Sequence, residues 1–254
     1  MKKRNLKHNS SGQVIIITAL LVATLLLSTA IYVFETEKEV PTVNTGEENV
    51  FPAYQQSIRN TLISALANAT NGGDTGVLTH DLNELNAAIT NDSYHAIVQM
   101  SYTPLNTAPY QNGIWISWGA DGRGVSSVYV SFVFASSASS TSSNLEYAVN
   151  VTSEADLTGN YQLNGNLTQV NLTVNVLNEG KPALAQNFTS CFENATNDWV
   201  KVNSPNITDF GNGTYAVSFT TQSDQLNDPL MVSMVCQDQR GITVGANVTC
   251  TNTG

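Results

Sequence analysis

Residues 14–34, VIIITALLVATLLLSTAIYVF, run for 21 residues without a formal charge. A helix rising about 1.5 Å per residue needs roughly 20 residues to cross a hydrocarbon core of about 30 Å. Apolar side chains surround this helix and leave no polar face for water, which argues against a buried soluble helix. Tyr32 and Phe34 stand where aromatic rings favour the membrane interface, and Glu35, Glu37 and Glu39 end the apolar run. The pattern predicts a segment inserted in a lipid membrane.

Charge sets its direction. Residues 1–12 hold four of the ten Lys and Arg (Lys2, Lys3, Arg4 and Lys7) and no acid. All 20 Asp and Glu lie from Glu35 onward against six basic side chains, a net of −14. Basic residues before an apolar stretch and acids after it place the N-terminus in the cytoplasm and the rest outside. The expectation is a single-pass protein of the cell membrane with an extracellular C-terminal region. An acidic body of this kind lacks the Lys and Arg that bind phosphates, so nucleic acid is excluded as a partner. Only 12% of residues are charged, and the polar positions are filled by Asn, Thr, Ser and Gln. That composition fits an extracellular β protein better than a cytosolic enzyme.

Three fates of the apolar segment stay open. It is kept whole as an anchor, or cut after Ala30 behind the small residues Ser28-Thr29-Ala30, or cut between Gly12 and Gln13 with the helix retained. The basic leader, Gly12-Gln13 and the following apolar helix resemble the class III signal of archaeal type IV pilin-like proteins. That resemblance covers residues 1–34. It implies processing at Gly12 and Gln13 by a prepilin peptidase, helices bundled in a filament core, and envelope or pilus-like protein partners. Such pilins usually carry Glu at the fifth mature position; here it is Ile17, a departure from a major pilin that leaves two alternatives, a minor pilin-like subunit or a plain anchored protein.

Five regions follow: a basic cytoplasmic leader at 1–12, a transmembrane or pilin-like helix at 13–34, an acidic stalk at 35–49, a helical pair with a β region at 50–152, and a β-sandwich at 153–254. In the stalk, ETEKEVPTVNTGEEN, Pro41 removes a helix hydrogen bond and disfavours helix at Val40. Pro52 fits a helix start, Tyr54, Ile58, Leu62 and Leu66 make one stripe, and Gly72-Gly73 ends it. A second helix is expected at about 81–91, capped by Asp81 with Glu84 three residues on, and lined by Leu78, Leu82, Leu85 and Ile89. Both stripes are expected to pack on the β structure that follows.

From residue 94 the period changes to two. Strands are predicted at 95–102, 113–118, 125–135 and 145–152; in the third, Val128, Val130, Phe132 and Phe134 share one face. The Ser-rich run 136–143 reads as a loop. Strands at about 155–162 and 167–177 flank Asn164-Gly165, a short-hairpin signal. Short strands every 8–12 residues then continue to the C-terminus, the pattern of a sandwich. Asn178-Glu179-Gly180-Lys181-Pro182 is similar to the turn of invasin-type bacterial immunoglobulin-like repeats. Asp209-Phe210-Gly211-Asn212-Gly213-Thr214-Tyr215 resembles the turn into a strand of filamin-like sandwiches. Together they imply an immunoglobulin-like fold over about 153–254. The fold class expected is mainly β, with an N-terminal transmembrane helix, two short helices and an immunoglobulin-like β-sandwich at the C-terminus.

Ten N-x-[ST] sequons follow the membrane segment, at Asn68, Asn91, Asn150, Asn166, Asn171, Asn187, Asn194, Asn206, Asn212 and Asn247. They predict N-linked glycans on an extracellular surface. The three cysteines, Cys191, Cys236 and Cys250, leave two alternatives: one disulfide between Cys191 and Cys236 on neighbouring strands, or three small buried side chains. A simple hairpin keeps Cys236 and Cys250 beyond the roughly 7 Å reach of a disulfide.

Chemistry-bearing patterns are sparse. His8, His80 and His95 have no Cys or His at metal-ligand spacing. No G-x-S-x-G, H-E-x-x-H or Walker-type motif occurs. Gly119 to Gly124 reads as a hairpin turn, and Asp121, Asp224 and Asp228 as solvated loop acids rather than calcium ligands. Trp115 and Trp118 fall on opposite faces of one strand, one in the core and the other against an edge or a helix, with a sugar-stacking platform as the alternative for the second. The sequence therefore points to a non-enzymatic cell-surface structural or adhesive protein with no cofactor or metal. A surface module that captures a solute or glycan is the alternative.

Overall fold

The structure is a computed structural model that describes residues 51–92, 97–119, 121–138, 141–226 and 229–253. The leader, the 14–34 segment, the Gly12–Gln13 site and the stalk lie outside the described residues. Among the described residues no helix is long and apolar enough to cross a membrane.

Phe51–Gly254 is one compact unit, mainly antiparallel β with two helices. Helix α1 (Phe51–Thr70) has Pro52 in its first turn, where the missing N–H costs nothing. Its stripe of Ile58, Leu62 and Leu66 is fully buried. The helix ends where Gly73 N–H bonds the Asn68 carbonyl and Gly72 takes φ +90°. Helix α2 (Val77–Asp92) begins four residues before the expected start. Asp74 accepts the Gly76 N–H on Oδ1, so Asp81 and Glu84 lie inside the helix and cap nothing. Glu84 stands instead 3.6 Å from His80, one turn before it.

The strands are β1 (Ile97–Pro104), β2 (Ile114–Trp118), β3 (Arg123–Ala138), β4 (Thr141–Asn164), β5 (Leu167–Asn178), β6 (Lys181–Pro182), β7 (Ala185–Glu193), β8 (Trp199–Lys201), β9 (Asn206–Asp209), β10 (Thr214–Gln222), β11 (Met231–Asp238), β12 (Thr243–Thr249) and β13 (Thr251–Asn252). They form two sheets. The larger runs β1-β3-β4-β5-β10-β9, with β2 on β3, β6 on β5 and β13 on β4; the smaller runs β12-β11-β7-β8.

Strand β4 organises the molecule. The segments expected at 145–152 and 155–162 are one strand of 24 residues. Thr141–Asp156 pairs with β3, while Ser153–Asn164 pairs with β5. The boundary expected at 152/153 thus falls inside a strand. Two cores lie along it. Against the first half pack α1 and α2: Val128, Val130, Phe132 and Phe134 of β3 meet Ile58, Leu62, Leu66, Leu78 and Leu82. In the second half β4, β5 and β10 face β11, β12 and β7 across Leu157, Val170, Val174, Val217, Val232 and Met234.

The turns follow local chemistry. Glu179 and Gly180 both take positive φ, as a two-residue hairpin turn between β5 and β6 requires. The β4–β5 turn is Gly165-Asn166, one residue later than expected. Gly119 N–H closes on the Arg123 carbonyl, making the expected hairpin turn between β2 and β3.

Candidate functional site

The charged groups and the sequons define the surface. All ten sequon asparagines are described, and none is buried. Asn68, Asn91, Asn150, Asn166, Asn187, Asn206 and Asn212 are exposed, and Asn171, Asn194 and Asn247 are half-buried. They spread over both sheets and the helices. Asn171 and Asn206 stand in one cross-strand row, each opposite Ser218 on β10. Asn187 and Asn247 lie on β7 and β12 of the smaller sheet.

Their amides differ in freedom. Asn187 donates its Nδ2 to Gln237 at 2.9 Å. Asn194 Oδ1 accepts from the Thr196 and Asp198 N–H groups and from the Thr196 hydroxyl at 2.7 Å, which builds an Asx turn. Asn150 Oδ1 accepts from Ser127 Oγ at 3.0 Å and from Thr152 Oγ1, its own sequon hydroxyl, at 3.1 Å.

Around Asn150 lies a half-buried aromatic group that the sequence did not reveal. Tyr129 is its direct cross-strand partner. Tyr110, from the loop before β2, packs edge-on against both Trp115 and Tyr129 at centroid distances of 5.8 and 6.2 Å. The Tyr110 and Ser127 hydroxyls share a hydrogen bond of 2.9 Å. Trp118 faces the other side, over Gly245 of β12, with Nε1 3.3 Å from Ser126 Oγ. Neither tryptophan is fully buried, so the expected core role is not taken by either.

The densest polar cluster is a clasp where the two cores meet. Asp238 is fully buried. Its Oδ1 accepts the N–H groups of Arg240 and Ile242, and its Oδ2 accepts Arg240 Nε at 2.8 Å. The same guanidinium donates Nη1 to Glu179 at 2.6 Å and Nη2 to the Thr152 carbonyl at 2.9 Å. Glu179 also accepts the Thr152 N–H and Arg59 of α1. Partial burial pushes the Glu179 carboxyl up, but the Arg240 bond, the Thr152 N–H and the charges of Arg240 and Arg59 outweigh it and hold its pKa below the usual value. The clasp ties the β11–β12 turn, the β5–β6 turn, β4 and α1 together. Its partners are up to 120 residues apart, so no local motif announces it.

All three cysteines are free. Cys191 stands opposite Ser233, half-exposed, on the outer face of the smaller sheet, whereas Cys236 points into the core. Side chains on opposite faces of a sheet cannot bridge, so the Cys191–Cys236 disulfide is not formed. Burial raises the Cys236 thiol to about 12, and the Cys250 thiol to about 11.

Among the described residues no group of three His, Cys, Asp or Glu could hold a metal ion. His95 and Asp228 lie outside the described residues. Asp121 accepts the Arg123 N–H within its turn, and Asp224 lies in a 3-10 turn at Ser223–Gln225. Comparisons with protein-family models, curated proteins and solved structures find no match for this chain.

Proposed function

We propose that the chain is a membrane-anchored, glycosylated cell-surface protein with a structural or adhesive role, a minor pilin-like subunit of an archaeal envelope. It is a display device rather than an enzyme. Residues 14–34 hold it in the membrane, 35–49 space the head from the surface, and the β head presents its faces and loops to neighbours. The observation that carries this reading is that none of the ten sequon asparagines is buried in the head; the basic leader before 14–34 and the acids after it support putting them on the side of the membrane where glycans are added. The strand order supports an immunoglobulin-like sandwich within it. Read with β4 as A, the order β4-β5-β10-β9 is A-B-E-D, and β12-β11-β7-β8 is G-F-C-C′. That fold serves spacers and adhesins alike, so the role rests on the surface and the membrane segment rather than on the topology.

The test is mass spectrometry of the mature N-terminus and of glycopeptides from native membranes. A start at Gln13 with several occupied sequons is the expected result. An intact N-terminus removes the pilin assignment and leaves an anchor. A start at Ile31 overturns the membrane anchoring.

A further inference from the structure

We infer that the Tyr110–Trp115–Tyr129 cluster is the seat of a saccharide carried on Asn150. The inference rests on the glycoprotein reading above and adds where one glycan lies and what it does. Three observations converge. First, Asn150 is oriented for attachment. Its Oδ1 is held by the Ser127 and Thr152 hydroxyls, and its Nδ2 makes no hydrogen bond among the described residues. The reactive nitrogen is thus the free end of a fixed amide on an exposed residue. Second, Tyr129 is the direct cross-strand partner, and such pairs hold their Cβ atoms about 5 Å apart on the same face. A first sugar on Nδ2 therefore projects along the same face as that ring and its neighbours Tyr110 and Trp115. Pyranose rings carry a face of C–H bonds that packs against the negative face of an aromatic ring. Third, amide and aromatics share one hydroxyl: Ser127 Oγ lies 3.0 Å from Asn150 Oδ1 and 2.9 Å from Tyr110 Oη. Ordering the sugar thereby orders the loop that carries Tyr110.

Attachment forms a bond between the sugar's anomeric carbon and Nδ2. The nitrogen loses one proton, and the phosphate of a lipid-linked sugar donor departs with the electron pair. Asn187, whose Nδ2 is engaged by Gln237, lacks this arrangement.

The experiment uses the full chain made in its native glycosylating host and in a host without N-glycosylation. Glycopeptide mass spectrometry reads occupancy at each sequon. Thermal melting then compares both forms of the unaltered chain, of Asn150→Gln, and of Trp115→Leu and Tyr129→Leu. Asn150 is expected to be occupied. The glycosylated chain is expected to melt roughly 2–4 °C higher, with that increment lost in Asn150→Gln and in both leucine variants. An Asn150 left bare while other sequons are occupied overturns the seat and spares the glycoprotein reading. An increment that persists undiminished in the leucine variants overturns it as well. If all ten sequons are bare, both readings fall. Should a leucine variant not fold, protease cleavage within 105–113 of the unaltered chain decides. Slower cleavage of the glycosylated form supports the seat, and equal rates overturn it.

Discussion

The three thiols show how one parity step along a strand decides chemistry. Val232, Met234 and Cys236 alternate inward on β11, while Cys191 on β7 shares the outward side with Ser233. Cys236 and Cys250 are buried, and low-dielectric surroundings disfavour their thiolates. Because the thiolate is the nucleophile, the folded protein should react with a maleimide once, at Cys191, at neutral pH. Denatured protein kept free of reductant should react three times. Mass spectrometry of the adducts checks this; a single reaction after denaturation would mean that two thiols are paired. The odd count of cysteines was legible in the sequence. Their pairing was not, because it depends on which face each residue occupies once the register is set.

At the scale of elements, periodicity read well and junctions read poorly. The stripes Ile58-Leu62-Leu66 and Val128-Val130-Phe132-Phe134 are buried as their spacing predicts, because burial of one face is what creates the spacing. Asn178-Glu179-Gly180 and Asn164-Gly165 marked real turns, since positive φ restricts residue choice. The continuity of β4 was missed. Ser153 and Glu154 look like a polar break between two strands, yet Ser153 is buried in the sheet between its partners Ser126 and Asn178. The short strands β6, β9 and β13 carry too few residues to show a period. The crossing of β3 over β12 was equally hidden. There the backbones touch: a Cβ on Gly124 would run into the Gly245 carbonyl, and the neighbouring turn is held by Gly122 N–H bonding Asn247 O at 2.9 Å. Gly124→Ala must push the strands apart, and overpacking of this kind costs about 1–3 kcal/mol. Chemical denaturation should report that loss with an unchanged slope. Gly165→Ala provides the contrast: no atom lies near its Cβ, so only the left-handed turn conformation is penalised.

The molecule from Phe51 onward should unfold as one body, because both cores share β4 and are clasped where they meet. Arg240 is the joint's centre. Removing it leaves the buried Asp238 carboxylate with only backbone partners and Glu179 with Arg59 and the Thr152 N–H. Breaking a buried pair from one side costs about 3 kcal/mol or more, so Arg240→Ala should lower the melting temperature by roughly 6–12 °C for a body of this size. The expected thermogram in both proteins is a single transition; two transitions would mean that the halves of β4 melt independently. Acid tests the same joint without mutation. The Glu179 carboxyl titrates below its ordinary value of 4.5 in the folded protein, so the folded state favours its ionised form. Its contribution is complete above that ordinary value and fades as pH falls through the lowered folded value. The melting temperature should therefore drop as pH falls below that ordinary value of 4.5, and Glu179→Gln, which cannot titrate there, should flatten that part of the profile. An unchanged slope in Glu179→Gln would assign the acid sensitivity to other carboxylates and remove Glu179 from the joint's electrostatics. On the proposed cell-surface reading, the consequence is mechanical. Force applied to either half of β4 passes along one continuous strand, and the Arg240 clasp keeps the helical layer and the sandwich from parting at the point where the strand changes partners.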